Sequence, residues 1–110
     1  MPYIPKQGDI VWLDFDPSSG KEIMKRRPAF VISQQSFNEH TKMIIAAPIT
    51  STIRGGKLEV VLPNEMETTG AILVYQLKSV DFVQRNIKFI EKSLASITEK
   101  VSLIAQLLVK

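Results

Sequence analysis

The sequence predicts an α+β fold that is mainly β: a small, strongly bent antiparallel sheet or barrel of five or six strands, with a helix packed against it from the C-terminal end. Three observations carry this expectation. Short runs of β-branched and aromatic residues alternate with stretches of turn formers. The apolar period lengthens to helical spacing only near the end of the chain. A chain of 110 residues, 45% apolar and 23% charged, is enough for one packed domain, residues 1–110, and too short for two.

The elements follow in order. "GDIVWLDFD", Gly8 to Asp16, reads as a first strand that stops at the turn formers "PSSG". After a basic loop, "PAFVISQ" reads as a second strand, and Pro28 holds the preceding Arg27 out of helical backbone. "QQSFNEHT" suits a short helical turn, and "MIIAAPIT", Met43 to Thr50, a third strand. Pro48 points to an edge, a bulge or an exit from the ladder there. "STIRGG" reverses the chain; "KLEVVLP" and "AILVYQLKSVDF" give further strands separated by "NEMETTG", with Gly70 as a turn glycine. Ser96 and Glu99 have capping-box spacing, and Val101, Ile104, Ala105 and Leu108 recur at helical intervals. Leu103 and Leu107 widen the apolar arc beyond what one side of a small barrel covers. This predicts a subunit contact, against the alternative of a well-buried core helix.

Charge is unevenly placed. In "KEIMKRRPAFVIS", Lys21, Lys25, Arg26 and Arg27 stand against Glu22 alone, a local excess equal to the net charge of +3 carried by the whole chain. Solubility does not require that excess in one loop beside a strand. The chain has no cysteine and a single histidine, His40, expected at the surface. Disulfide scaffolds, thiol nucleophiles and thiolate metal sites are therefore excluded, and a His-based triad or metal centre lacks its usual parts, so no metal or other cofactor is expected. No apolar run reaches the length of a membrane span or a signal peptide, which predicts a soluble cytoplasmic protein.

Several side chains suit phosphate chemistry. The guanidinium of Arg27 offers a planar fork of donors matched to phosphate oxygens; the other reading is a rim arginine paired with Glu22 or Asp16. Glu22 is either an orienting or proton-carrying acid or a loop carboxylate that offsets its basic neighbours. Thr50 offers one hydroxyl donor at a strand end, where threonine is also simply at home. Trp12 and Phe15 suit base stacking, although in an apolar run such rings more often belong to the core. Gln76, Lys78 and Arg85 add donors around the later strands, where polar residues are usually solvated.

Together, "GDIVWLDFDPSSGKE", "RRPAFVIS", "APITS" and "QLKSVD" resemble the MazF/PemK family of toxin endoribonucleases, or mRNA interferases, over almost the whole chain from Gly8 onward. The resemblance implies an SH3-like barrel that forms a homodimer, cuts single-stranded RNA without a metal and is neutralised by a cognate antitoxin. By motif, the catalytic residues are Arg27 of the R-P pair, Thr50 of the P-x-T segment and the loop acid Glu22. Lys21, Lys25, Arg26, Gln76, Lys78 and Arg85 are expected at the RNA. The implied reaction is attack of a ribose 2′-hydroxyl on the adjacent phosphate, leaving 2′,3′-cyclic phosphate and 5′-hydroxyl ends. Because a guanidinium loses its proton only above about pH 12 in water, Arg27 is assigned first to charge stabilisation and Glu22 to proton transfer. "IMK" and Arg26 depart from the small residues common before the R-P pair. A non-catalytic toxin of the same fold that poisons DNA gyrase is the rival reading, and a barrel that binds RNA without cutting it is a third.

Overall fold

A computed structural model describes residues 3–14 and 26–109. The loop predicted between the first two strands, with Glu22, Lys21 and Lys25, lies outside the described residues, as does Phe15. Among the described residues, seven strands and two α-helices follow in chain order: β1 (Asp9–Asp14), β2 (Arg26–Val31), α1 (Gln35–Thr41), β3 (Met43–Thr50), β4 (Glu59–Val61), β5 (Ala71–Leu73), β6 (Lys78–Asp81), β7 (Lys88–Lys92) and α2 (Ala95–Val109). All pairings are antiparallel, in the order β4-β5-β3-β2-β1-β7, with β6 also paired to β3.

The first three strands were legible because each carries a continuous apolar run. Alternation along them divides the core in two. Ile10, Phe30, Ala47 and Ile49 point one way, into a cluster completed by Ile72, Val74 and the α2 residues Ile97, Val101 and Ala105. Val11, Leu13, Ala29, Val31, Ile44 and Ala46 point the other way, with Val80 and Phe82, and Tyr3 and Ile4 of the N-terminal arm pack against them. That arm is tied down through Asp9, which is 3% exposed and accepts hydrogen bonds from the Tyr3 hydroxyl and from the Lys6 N–H at 3.0 Å. Burial and the Asp9 carboxylate together push the Tyr3 hydroxyl pKa well above its ordinary value.

β3 carries two neighbours on one edge. Met43 to Ala46 pair with β6, whereas Ile49 and Thr50 pair with β5. Pro48 falls in the gap between these ladders, where its missing N–H breaks no pairing, and on the other edge it sits opposite Ala29. Pro48 thus marks a change of partner within a central strand; of the three expectations it raised, the exit from a ladder is the one met, and the strand is neither an edge nor bulged there.

The segment "AILVYQLKSVDF" is two strands separated by a 3-10 turn, Val74–Gln76, because its halves pair with different halves of β3. β7 was not anticipated: "KFIEK" contains only two apolar residues, and only Ile90 and Glu91 are partly buried. The capping-box expectation is also corrected. The Leu94 carbonyl accepts from both the Ile97 and Thr98 N–H groups, so α2 starts at Ala95 and Ser96 lies inside the first turn. His40 is exposed, as expected.

Candidate phosphate-directed site

β2 and β3 place Arg27 and Thr50 together. The pairs Ala29–Pro48, Phe30–Ala47 and Val31–Ala46 define their register, and the same register continued by two residues sets Arg27 opposite Thr50. Opposed residues project to the same side of a sheet. Both side chains line one recess of about 300 Å3 at the strand ends, with Arg26, Pro28, Ile49, Ser51 and Thr69. Arg26 is exposed; Arg27 and Thr50 are half-buried. A guanidinium and hydroxyls facing one small space form a donor set suited to the charge of a phosphate.

The Thr50 hydroxyl is already oriented. Its oxygen accepts from the Thr52 N–H at 3.1 Å, closing a turn and leaving the hydroxyl proton free to be donated. Thr50 is thus both a strand-end turn former and an available donor, which unites its two sequence readings. Its backbone is fixed by Gly70, which has φ +119° and packs so tightly that a Cβ there would sit 2.2 Å from the Thr50 carbonyl oxygen. Gly70 is a turn glycine, as expected, and it is also required for this close approach.

Thr69 is brought to the recess by a side-chain clasp. Glu91 on β7 accepts from the Glu67 N–H at 3.2 Å, and from both the Thr68 N–H and the Thr68 hydroxyl at 2.6 Å. The clasp links the loop between β4 and β5 to β7, joining the two ends of the sheet path. Partial burial raises the Glu91 pKa, but the three hydrogen bonds outweigh it and hold the carboxyl below its ordinary value. The depressed folded-state pKa stabilises the fold above the ordinary carboxylate range, and this stabilisation is lost as pH falls through the folded value. The melting temperature is therefore expected to fall on acidification below about pH 4.5, with part of that fall absent in Glu91→Gln. Superimposable acid limbs for the two proteins, followed by circular dichroism, would contradict the clasp.

Of the other expected RNA contacts, Arg85 is half-buried. Its guanidinium donates to the Asp14 carbonyl at 3.1 Å, and its own carbonyl accepts from the Asp14 N–H at 2.9 Å. Asp14 is opposite Arg26, so Arg85 reaches the same rim through the end of β1. Lys78 is exposed opposite Ala46, and Gln76 is exposed on the 3-10 turn beside β6; neither lines the recess. Ser51 and Thr69 were not singled out from sequence, and only the adjacent Gly70 hinted at the second. Trp12, read there as more often core, is 38% exposed. Among the described residues, no three of His, Asp and Glu come together as metal ligands.

Comparison with known proteins places this geometry in a family. Residues 6–108 match the family described as PemK-like, MazF-like toxin of type II toxin-antitoxin system. The chain is 41% identical over 78 residues to the endoribonuclease toxin MazF of Escherichia coli K12, covering 71% of this chain and 69% of that one. It is 36% identical over 110 residues to the endoribonuclease toxin ChpB of the same organism, covering 96% and 94%. A MazE–MazF crystal structure from Deinococcus radiodurans superposes with a TM-score of 0.90 at 32% identity, over 98% of this chain and 97% of that one. The rival gyrase-poison reading finds no support among these relatives. The chain belongs to the PemK-like, MazF-like family of toxins of type II toxin-antitoxin systems.

Proposed function

We propose that this protein is a toxin endoribonuclease that cuts single-stranded RNA in the recess between Arg27 and Thr50, by attack of the ribose 2′-hydroxyl on the adjacent phosphate. The observation that carries the reading is the shared recess: two residues 23 positions apart in sequence, each matched to the family motif, line one small space. The two E. coli relatives are endoribonucleases by name.

Arg27 neutralises the phosphate, and its fork holds two oxygens while negative charge develops on them. The Thr50 hydroxyl, its lone pair held by the Thr52 N–H, donates to one of those oxygens. Positioning supplies the rest, because the nucleophile and the phosphate belong to the same substrate strand. Glu22 is assigned to proton transfer by motif, and Lys21, Lys25 and Arg26 to electrostatic attraction of the RNA backbone. The chain has no cysteine and one histidine, so the reaction is expected to need neither a thiol nucleophile nor a His-bound metal. A long single-stranded RNA incubated with the protein in EDTA is expected to yield fragments with 5′-hydroxyl and 2′,3′-cyclic phosphate ends. Retention of intact RNA that weakens with salt, without fragments, would instead identify a binding barrel.

The partners follow the same reading. A cognate antitoxin is expected, as MazF from D. radiodurans is found in complex with MazE, and the site of action is the cytoplasm. Among the described residues no helix is long and apolar enough to cross a membrane. The protein is proposed to be a homodimer. α2 buries Ile97, Val101 and Ala105 against the sheet, yet leaves Leu103, Leu107 and Val109 exposed, Leu107 by 72%. In a two-fold contact each such residue counts twice. Leu107→Glu is therefore expected to weaken dimerisation at least ~10-fold, equivalent to about 1.4 kcal/mol, less than the burial of one leucine contributes. Sedimentation that shows a wild-type monomer at micromolar concentration would overturn the dimer.

A further inference from the structure

The sheet face that carries Ile10 and Phe30 into the α2 cluster continues past the helix to Trp12 and Pro28. These two residues are opposite each other across the β1–β2 pair. Ile90 of β7, which also packs against the α2 cluster, and the loop that Glu91 clasps bound the face there. The result is a second recess of about 280 Å3, lined by Trp12, Pro28, Glu67, Thr68, Thr69 and Ile90. Pro28 and Thr69 also line the Arg27–Thr50 recess, so the two spaces share a wall. Lys88, opposite Trp12 on the β7 side, is exposed and adds positive charge beside the ring.

We propose that this second recess is a nucleobase site for an amino-bearing base next to the cleaved phosphate, with Trp12 as the stacking platform and Glu67 as the reader of the base edge. The inference rests on the RNA-cleavage reading and extends it from the phosphate to the base.

Three features favour a base over a purely apolar occupant. An indole more than one-third exposed at the end of an apolar face offers a π-surface of the kind on which bases stack. Trp12 and Pro28 supply apolar lining, while Glu67 and Thr69, both exposed, are the lining residues that carry a carboxylate and a hydroxyl. The Glu67 backbone is held by Glu91, so its carboxylate projects from a fixed loop. An ionised carboxylate only accepts hydrogen bonds. It matches the exocyclic amino groups of adenine, cytosine and guanine. Uracil presents its single ring N–H between two carbonyl oxygens, which a carboxylate repels. The site therefore favours amino-bearing bases over uracil.

Trp12 is the only tryptophan of the chain, so its emission reports on the site directly. The full chain is titrated with end-labelled 2′-deoxy tetramers of adenine, cytosine, guanine or uracil, following tryptophan emission and label anisotropy together. Saturable quenching is expected, with the adenine, cytosine and guanine tetramers bound at least ~10-fold more tightly than uracil, within the range for one hydrogen-bonded base contact. Glu67→Gln, whose amide both donates and accepts, should reduce that preference below about threefold, as only the acceptor-only edge excludes uracil. By anisotropy, Trp12→Ala should weaken all four tetramers by ~10-fold or more, while Trp12→Phe retains most of the affinity. Emission unchanged at anisotropy saturation overturns the site, and decides the matter even if Trp12→Ala fails to fold. Equal affinity for uracil and the other bases in the wild type overturns the role of Glu67. Arg27→Ala separates the two readings: loss of RNA cleavage with the base preference intact supports both. Retained cleavage overturns the phosphate reading while the quenching still reports on the base site.

Discussion

Arg27→Ala is expected to lower the rate of RNA cleavage by roughly 1,000-fold or more, with a melting temperature within about 4 °C of the wild type. Arg27 ends the buried stretch of β2 and stands half-exposed at the rim, whereas Ala29, Phe30 and Val31 inside it are fully buried. Truncation therefore removes a charged fork from the recess and leaves the core packing in place. The loss should fall on the chemical step, since the guanidinium interacts most strongly with the phosphate when its charge has grown. Arg27→Lys is expected to recover little, because a point charge cannot hold two oxygens in the plane of a fork. Cleavage is measured under single-turnover conditions alongside thermal unfolding. An unfolded Arg27→Ala protein would make the residue structural.

Gly70→Ala is expected to cost roughly 3 kcal/mol of stability, a fall in Tm of roughly 10–20 °C. It should also remove most of the activity that remains at temperatures where the protein is folded. Two effects combine: φ +119° is strained for any residue with a side chain, and the added methyl would sit 2.2 Å from the Thr50 carbonyl oxygen. That atom is backbone, so no rotamer change relieves the clash. The chain must part at the β3–β5 junction, where Thr50 pairs with Ala71. Thr50 and Thr69 would both move relative to Arg27. A Gly70→Ala protein with unchanged melting and activity, assayed at 25 °C, would show that the close approach is not maintained in solution.

How far the sequence could be read depended on what each segment paired with. β1, β2 and β3 were legible because their apolar runs are long and their ends are marked by Gly, Pro or Thr. The division of "AILVYQLKSVDF" was not, since it is decided by the change of partner along β3 at Pro48. β7 escaped because an edge strand with Lys88, Glu91 and Lys92 has no apolar alternation to display. In the site, Arg27 and Thr50 were each legible as residue types, and motif resemblance named them. Their juxtaposition is a product of the β2–β3 register, a long-range property. Thr69 and Glu67 lay in "NEMETTG", which read only as a separator; their placement depends on the Glu91 carboxylate, which holds the Glu67 and Thr68 N–H groups from 24 and 23 residues away. Trp12 looked like core because its neighbours Val11 and Leu13 are core. Ile10 on the same face joins the α2 cluster and Trp12 does not, and no local pattern records which part of a strand a distant helix covers.

The most direct test uses an RNA with one 2′-deoxy nucleotide on the 5′ side of a mapped cleavage site, assayed in EDTA beside the all-ribose strand. The reading assigns the attacking oxygen to the substrate, with Arg27 and Thr50 holding the phosphate as it becomes five-coordinate. Removal of that one hydroxyl should leave binding within a few-fold and abolish cutting at that site, while the all-ribose strand yields a 2′,3′-cyclic phosphate and a 5′-hydroxyl. Efficient cleavage of the 2′-deoxy strand at the same phosphate would contradict the account, because the nucleophile would then have to come from somewhere other than the ribose.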